Sequence, residues 1–487
     1  MIDVRIVYIN QVSDYNNLLT FIRKSHINSE TVDELKQYLG LKCNKWIVEF
    51  PYADKDYLST FYIHYAKKYK EYSKGCYRLH VFNNDDYFGF ITLRPTAVKK
   101  IGRTYLHPSL LLDQNAYLMS GKFAANVVGS EASIECFPWM HQENDISTCA
   151  HVALWSTLRY FGNRQSNYAD MTMGEICDKI QFNLDRKTPC RGLSTRQISN
   201  LLMQYNFSTL IRHKDKNMNA RQYLNEILSY VESGLPLIGI MSKSEHAVCI
   251  IGHGEINLEY NDIQLRDLCE RVEYAEKKTD IILSTRFIKS VIVNDDNYFP
   301  YRSVYCNVND LSKNQEIDPF YGLDNVDYFV IPFYEKMQIT YNEVYNIVVD
   351  FLIKNNLKNL PSPKILRIFI TSSNSFKTKS MVNFTNARLK HIIARMNMPK
   401  FVWIVEISSV KNHKIGMVDG LIIIDATCSS LEPEPWIYMH DSKTVKYFNG
   451  KRLVKSSEVG YIAPIKRYTN NLEGYGYVKS WETDIGW

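Results

Sequence analysis

The run from Gln142 to Gly162, QENDISTCAHVALWSTLRYFG, constrains this chain more than any other stretch. Polar turn residues lead into Cys149. Ala150, Val152, Ala153, Leu154, Trp155 and Leu158 then nearly surround a helical period, which predicts a buried helix stopped by Gly162. Asp145 or Ser147 is the expected N-cap. A cysteine in the first turn of such a helix aims its sulfur at unpaired N–H groups and at the positive end of the helix dipole, which favours thiolate over thiol. On this stretch alone a packed core thiol is the simpler reading, because cysteine is also a small hydrophobe.

Two later segments shift that balance. In LPLIGIMSKSEHAVCIIGHGE, two short apolar runs flank a polar turn, and His246 opens the second run. In RFIKSVIVNDDNYFPY, Val291, Val293 and Asp295 share one strand face at period two. The acid position stays open among Asn294, Asp295 and Asp296, with alternation favouring Asp295. The chain order is then cysteine, histidine, acid, with the cysteine on a helix and its partners on strands. A thiolate–imidazolium pair oriented by a third side chain is the arrangement that nucleophilic acyl chemistry needs.

These residues resemble the papain-like cysteine peptidases, and within them the compact branch that includes the leader peptidases of bacteriocin transporters. The positions that carry the resemblance are Gln142, Cys149-Ala150, His246-Ala247-Val248 with Gly252, and Asp295, within roughly Phe137 to Tyr301. Three departures stand beside it. The Cys-Gly-Ser-Cys-Trp signature is absent, Gln142 lies one residue further from the cysteine than in the pattern, and Glu245 stands where glycine often precedes the histidine. The resemblance implies Cys149 as nucleophile, His246 as base, Asp295 as its orienter and Gln142 as an oxyanion donor. It implies a cysteine peptidase cutting a peptide or isopeptide bond. Acyl transfer, transglutamination or deamidation by the same triad, and an inactive scaffold that binds proteins, are the alternatives.

The implied fold class is α+β, a papain-like core with a helical lobe facing an antiparallel β lobe, flanked by α/β accessory domains at both ends. The expected divisions are 1–130, 131–315 and 316–487. Capping-box pairs Thr172/Glu175 and Ser194/Gln197 mark two helices of the helical lobe, and Leu224, Ile227, Leu228 and Val231 mark a third before Gly234. Asn257–Lys278 reads as an exposed helical insertion, and 307–320 as a linker. In the first region, strands are expected at Asp3–Ile9 and Lys45–Phe50, a helix at Tyr57–Tyr72 and a hairpin turning at Asn83–Asp86. In the last region, strands are expected at Tyr328–Phe333, Ile365–Thr371, Phe401–Ser408 and Leu421–Ala426. Cys428 and His440 sit close together there, but no nucleophile helix accompanies them, so structural roles are expected.

Composition narrows the remaining classes. A net charge of +6 over 487 residues, with basic clusters as scattered as Lys99-Lys100 and Lys451-Arg452, does not predict nucleic-acid binding. The ten cysteines form no CxxC pair and no zinc-spaced cluster, so free thiols and no metal are expected. The opening MIDVRIVYINQVSDY lacks a charged segment followed by an apolar one, and no apolar run reaches membrane-spanning length. A cytoplasmic chain without cofactor or membrane contact is expected. Its partners would be a protein or peptide substrate and a regulatory protein met through the accessory domains.

Overall fold

A computed structural model describes residues 2–481 except 167, 169, 181–188, 191, 215–218, 257, 275–276, 307–321, 356–359, 361, 430–431, 433–434, 450–451, 457–460, 470 and 473. The linker expected at 307–320, Lys451 and residues 482–487 lie outside the described residues. The described chain is a mixed α+β protein with twelve α-helices and three large sheets.

The N-terminal sheet is antiparallel and runs in chain order through Asp3–Tyr8, Lys45–Tyr52, Cys76–Asn83, Asp86–Leu93 and Ile101–Leu106. One of its faces buries Val7, Trp46, Leu79, Val81 and Ile91 against the helix Ser29–Leu39. The helix expected at Tyr57–Tyr72 is shorter, Lys55–Ile63. Asp54 caps it by accepting from the backbone of Asp56 and Tyr57, and the chain leaves the helix at His64.

The second sheet has eight strands. Its spine is Arg302–Tyr305, Ser290–Asn294, His246–Gly254, Leu237–Met241, Tyr328–Tyr334 and Phe207–His213. Ala116–Met119 pairs with the far end of His246–Gly254, and Tyr475–Val478 pairs in turn with Ala116–Met119. The expected divisions near 130 and 315 are therefore crossed by backbone pairing, because this sheet takes strands from all three regions. The helices Cys149–Arg164, Met173–Lys179, Thr195–Gln204 and Ala220–Glu232 supply the opposing apolar surface. Both middle-region capping boxes form as expected, Thr172 with Glu175 and Ser194 with Gln197.

The third sheet runs Glu270–Tyr274, Lys277–Leu283, Lys364–Ser372, Phe401–Ser408, Gly420–Asp425, Trp436–His440, Val445–Asn449 and Arg452–Ser456. The segment expected as a helical insertion is helical only over Asp262–Leu268 and then becomes the first hairpin of this sheet. Polar composition misled there: edge strands carry charge to stay unpaired with other chains, and their pattern then reads as a solvated helix. A buried ion network joins the second and third sheets. Arg367 bonds Glu232 at 2.5 Å and Glu406 at 3.0 Å, and Glu232 also takes a bond from His253 at 3.0 Å. One continuous apolar core runs from Tyr57 to Tyr475, so the regions share their interior.

Candidate active site

The helix Cys149–Arg164 begins at the cysteine itself. Its N-cap is Thr148, not Asp145 or Ser147, because Thr148 holds the extended backbone that a cap requires. His151 completes a capping box, its Nδ1 accepting the Thr148 N–H at 3.3 Å. The ring is fully buried, and burial pushes its pKa down to about 4, so it serves as a neutral cap. Ser147 has a different task, accepting the Glu143 N–H at 3.0 Å inside the preceding turn. Cys149 thus occupies the first helical position, where its backbone N–H has no intrahelical acceptor. Its side chain is half-buried, whereas Cys136, Cys177, Cys190 and Cys249 are buried as expected; none of the ten cysteines is joined in a disulfide.

His246 opens its strand opposite Met241, across the tight turn Ser242–Ser244. Glu245 closes that turn with a left-handed backbone, φ 50°, and its carbonyl oxygen lies 4.0 Å from the Cys149 sulfur. Glu245 is exposed and is one of the residues lining the cleft over the sulfur.

The acid comes from the neighbouring strand. Cys249 faces Asn294 in register, which brings the residue after Asn294 back towards His246. His246 Nε2 lies 3.0 Å from Asp295 Oδ1, and the same oxygen accepts the Asn297 N–H at 2.8 Å. Asp295 is fully buried, and Trp139 Nε1 pins its carbonyl at 2.7 Å. Asn294 is turned elsewhere: its Oδ1 accepts the Tyr301 N–H at 3.0 Å. Burial works against a charged His246. The hydrogen bonds and charges of Asp295 and Cys149 outweigh it and push the imidazole up to about 11.

Asp296 is a fourth group that sequence reasoning left undecided. It is 2% exposed, its Oδ1 stands 4.0 Å from His246 Nε2, and among the described residues neither of its carboxylate oxygens has a hydrogen-bond partner. Burial raises its pKa to about 7, the adjacent Asp295 charge adds to this, and His246 opposes it. Among the described residues, Cys149, His246 and Asp296 are the group of three whose donor atoms all lie within 4.8 Å of one another. That spacing approaches what a divalent cation would need, and no sequence interval announces it.

A cleft of about 360 Å³ opens over the sulfur. Its lining is mixed: Ala150, Leu193, Ile240, Met241 and Ala247 are apolar, while Ser242, Glu245 and His246 are polar, and Ser194, the N-cap of Thr195–Gln204, stands at its edge. Gln142, the expected oxyanion donor, does not line it. The segment that carries Gln142 is held instead through Glu143, whose buried carboxylate takes bonds from Arg94 at 3.0 Å, Thr60 at 3.1 Å and Tyr65 at 3.1 Å.

Cys428 and His440 each bond a neighbour in place of one another. The Cys428 thiol donates to the Asp425 carbonyl at 3.0 Å, and the buried His440 bonds the Tyr438 hydroxyl at 3.0 Å.

No family model, no curated protein and no solved structure matches this chain. No helix among the described residues is long and apolar enough to cross a membrane.

Proposed function

We propose that the chain is a papain-like thiol hydrolase that cleaves a peptide or isopeptide bond. One observation carries the reading: His246 stands between the sulfur of a helix-initiating cysteine and a buried carboxylate that holds one of its ring nitrogens. With Nε2 engaged by Asp295, the proton needed at the reacting centre is exchanged through the other nitrogen. Cys149 attacks the carbonyl carbon while His246 carries the thiol proton, and the imidazolium returns that proton to the leaving amine. Water then resolves the thioester, with the same imidazole as base. Asp295 keeps the ring oriented and balances its positive charge.

The oxyanion would be met by the Cys149 N–H at the helix start, a position where backbone donors favour developing negative charge. Gln142 would join only if its segment moved towards the cleft. The apolar part of the lining, Leu193, Ile240 and Met241, supports a substrate presenting an aliphatic side chain next to the cleaved bond.

A peptidyl electrophile with an aliphatic residue, detected by intact mass, tests the reading. Stoichiometric labelling of Cys149 that is lost in His246→Ala is the expected result. Hydrolysis retained by Cys149→Ala would overturn it.

A further inference from the structure

The second face of the N-terminal sheet differs in chemistry from the one that closes the core. Glu49, Arg78, Phe90 and Tyr105 lie on it in cross-strand register. The hairpin Gly121–Cys136 arches over it and is fastened at two places. Its tip is held by Arg78 Nη2 donating to the Asn126 carbonyl at 2.6 Å and by the Val128 N–H donating to Glu49 at 3.0 Å. Its base is held by Phe123, packed 4.6 Å from the Tyr105 ring. Between the fastenings lies a cleft of about 920 Å³, at the upper end of the ~300–1,000 Å³ typical of small-molecule sites.

Four cations line this cleft, Lys55, Arg78, Arg103 and Lys122, against one acid, Glu131. Glu49 and Asp54 offset Arg78 and Arg103, and Asp170 shares Lys55. The exposed Lys122 ammonium makes no ion pair among the described residues. The cations are interleaved with rings: the Arg78 guanidinium lies 4.2 Å over Tyr52, and that of Arg103 lies 5.6 Å from Tyr105. Alanines at 53, 124, 125 and 132 keep the walls low enough for a flat group. Cations that grip oxyanions, set beside aromatic faces, suit a phosphate ester of a ring-bearing molecule.

The floor of the cleft continues to the nucleophile helix. Arg103 Nη2 lies 2.9 Å from Asp54, the cap of the helix Lys55–Ile63. In that helix Asp56 Oδ1 accepts from Trp155 Nε1 at 2.8 Å and Arg159 Nη2 at 3.0 Å. Trp155 and Arg159 belong to the helix that Cys149 begins. We propose that this cleft binds an aromatic phosphate ester of mononucleotide size, and that its occupancy reaches Cys149 through Arg103, Asp54, Asp56 and Arg159.

The binding half stands independently of the hydrolase reading; the link to Cys149 rests on it. The probe is N-methylanthraniloyl-ATP, followed by fluorescence anisotropy on the full chain, with ATP, pyrophosphate and adenosine as competitors. Saturable binding is expected, displaced best by ATP and weakened about tenfold by Lys122→Glu or Lys55→Glu but not by the remote Lys379→Glu. No saturable binding, or equal binding by all three variants, overturns the site. Displacement by pyrophosphate as strong as by ATP overturns the aromatic part of the assignment. On titration with ATP the alkylation rate of Cys149 should change by about threefold or more, and the midpoint of that change should move about tenfold higher in Lys122→Glu. An unchanged wild-type rate overturns the link.

Discussion

The guanidinium of Arg94 and the carboxylate of Glu143 meet at 3.0 Å, each side chain 2% exposed, and this pair ties the segment entering the Cys149 helix to the N-terminal sheet. Arg94 also donates to the carbonyls of Lys99, Ile101 and His141. A charge buried this deeply is tolerated because both terminal nitrogens of the guanidinium are engaged, by Glu143 and by these three carbonyls. Replacing Arg94 by Met takes the cation from the buried Glu143 carboxylate and leaves it only the hydroxyls of Thr60 and Tyr65. Arg94→Met should lose ~3–5 kcal/mol in urea unfolding, the usual consequence of stranding one buried partner. Glu143→Gln, which keeps an acceptor, should lose less. Wild-type stability in Arg94→Met would mean that the pair does not anchor this segment.

Asp296 should leave a signature in the pH dependence of stability. Its folded pKa is raised to about 7, from an ordinary value of 3.8, by burial and by Asp295. The native state therefore holds the proton across a range where the unfolded chain releases it. Its contribution is fully present below pH 3.8 and is lost as pH rises through about 7. Asp296→Asn removes that loss. Relative to wild type, the variant should gain stability between these limits and hold the gain above them, as read by chemical denaturation across pH. Parallel stability curves for the two proteins would place the titration elsewhere.

The two neighbouring aspartates should differ in their effect on catalysis. Asp295 bonds the imidazole at 3.0 Å, whereas Asp296 stands 4.0 Å away with no hydrogen bond. Asp295→Asn should lower kcat by about 10²–10⁴, as loss of an orienting carboxylate does, and move the alkaline limb of the rate profile downwards because the imidazolium loses its counter-charge. Asp296→Asn should change kcat by less than about tenfold, since it removes no bond to the base. Equal losses in both variants would show that the carboxylates act as one unit.

Residues 131–315 should not fold as an isolated piece. Their sheet would lack Ala116–Met119, Tyr328–Tyr334 and Tyr475–Val478. The Glu232 carboxylate would also lose Arg367. The fragment should lack a cooperative urea transition, while the full chain shows one. A cooperative transition in the fragment would mean that these strands are dispensable.

The local signals in the sequence were largely legible. The strand Phe401–Ser408, the helices that follow Thr172 and Ser194, and the hairpin of Cys76–Asn83 with Asp86–Leu93 all rest on periodicity and capping that act within a few residues. Cys149, His246 and Asp295 could be proposed together because helix start, strand start and strand alternation each position one of them. Sheet membership was not legible. Nothing near Tyr475 announces pairing with a strand at Ala116, because the partners are set by the shared core and not by neighbours in sequence. The part played by Arg94 was hidden for the same reason, since its partner Glu143 comes from another region of the chain. Alternation only favoured Asp295 over Asp296, and the distances to His246 Nε2, 3.0 Å against 4.0 Å, separate the two.

The most direct measurement is the alkylation rate of all ten cysteines by mass spectrometry across pH, in wild type and His246→Ala. His246 keeps its proton up to about 11 while it is held by Asp295 and Cys149, so the sulfur faces an imidazolium throughout the neutral range. Cys149 should react at least ~100-fold faster than the other nine near neutral pH and should lose that lead in His246→Ala, as expected of an activated thiolate. A Cys149 no faster than its neighbours, or equally fast without His246, would contradict the pairing on which the proposed chemistry rests.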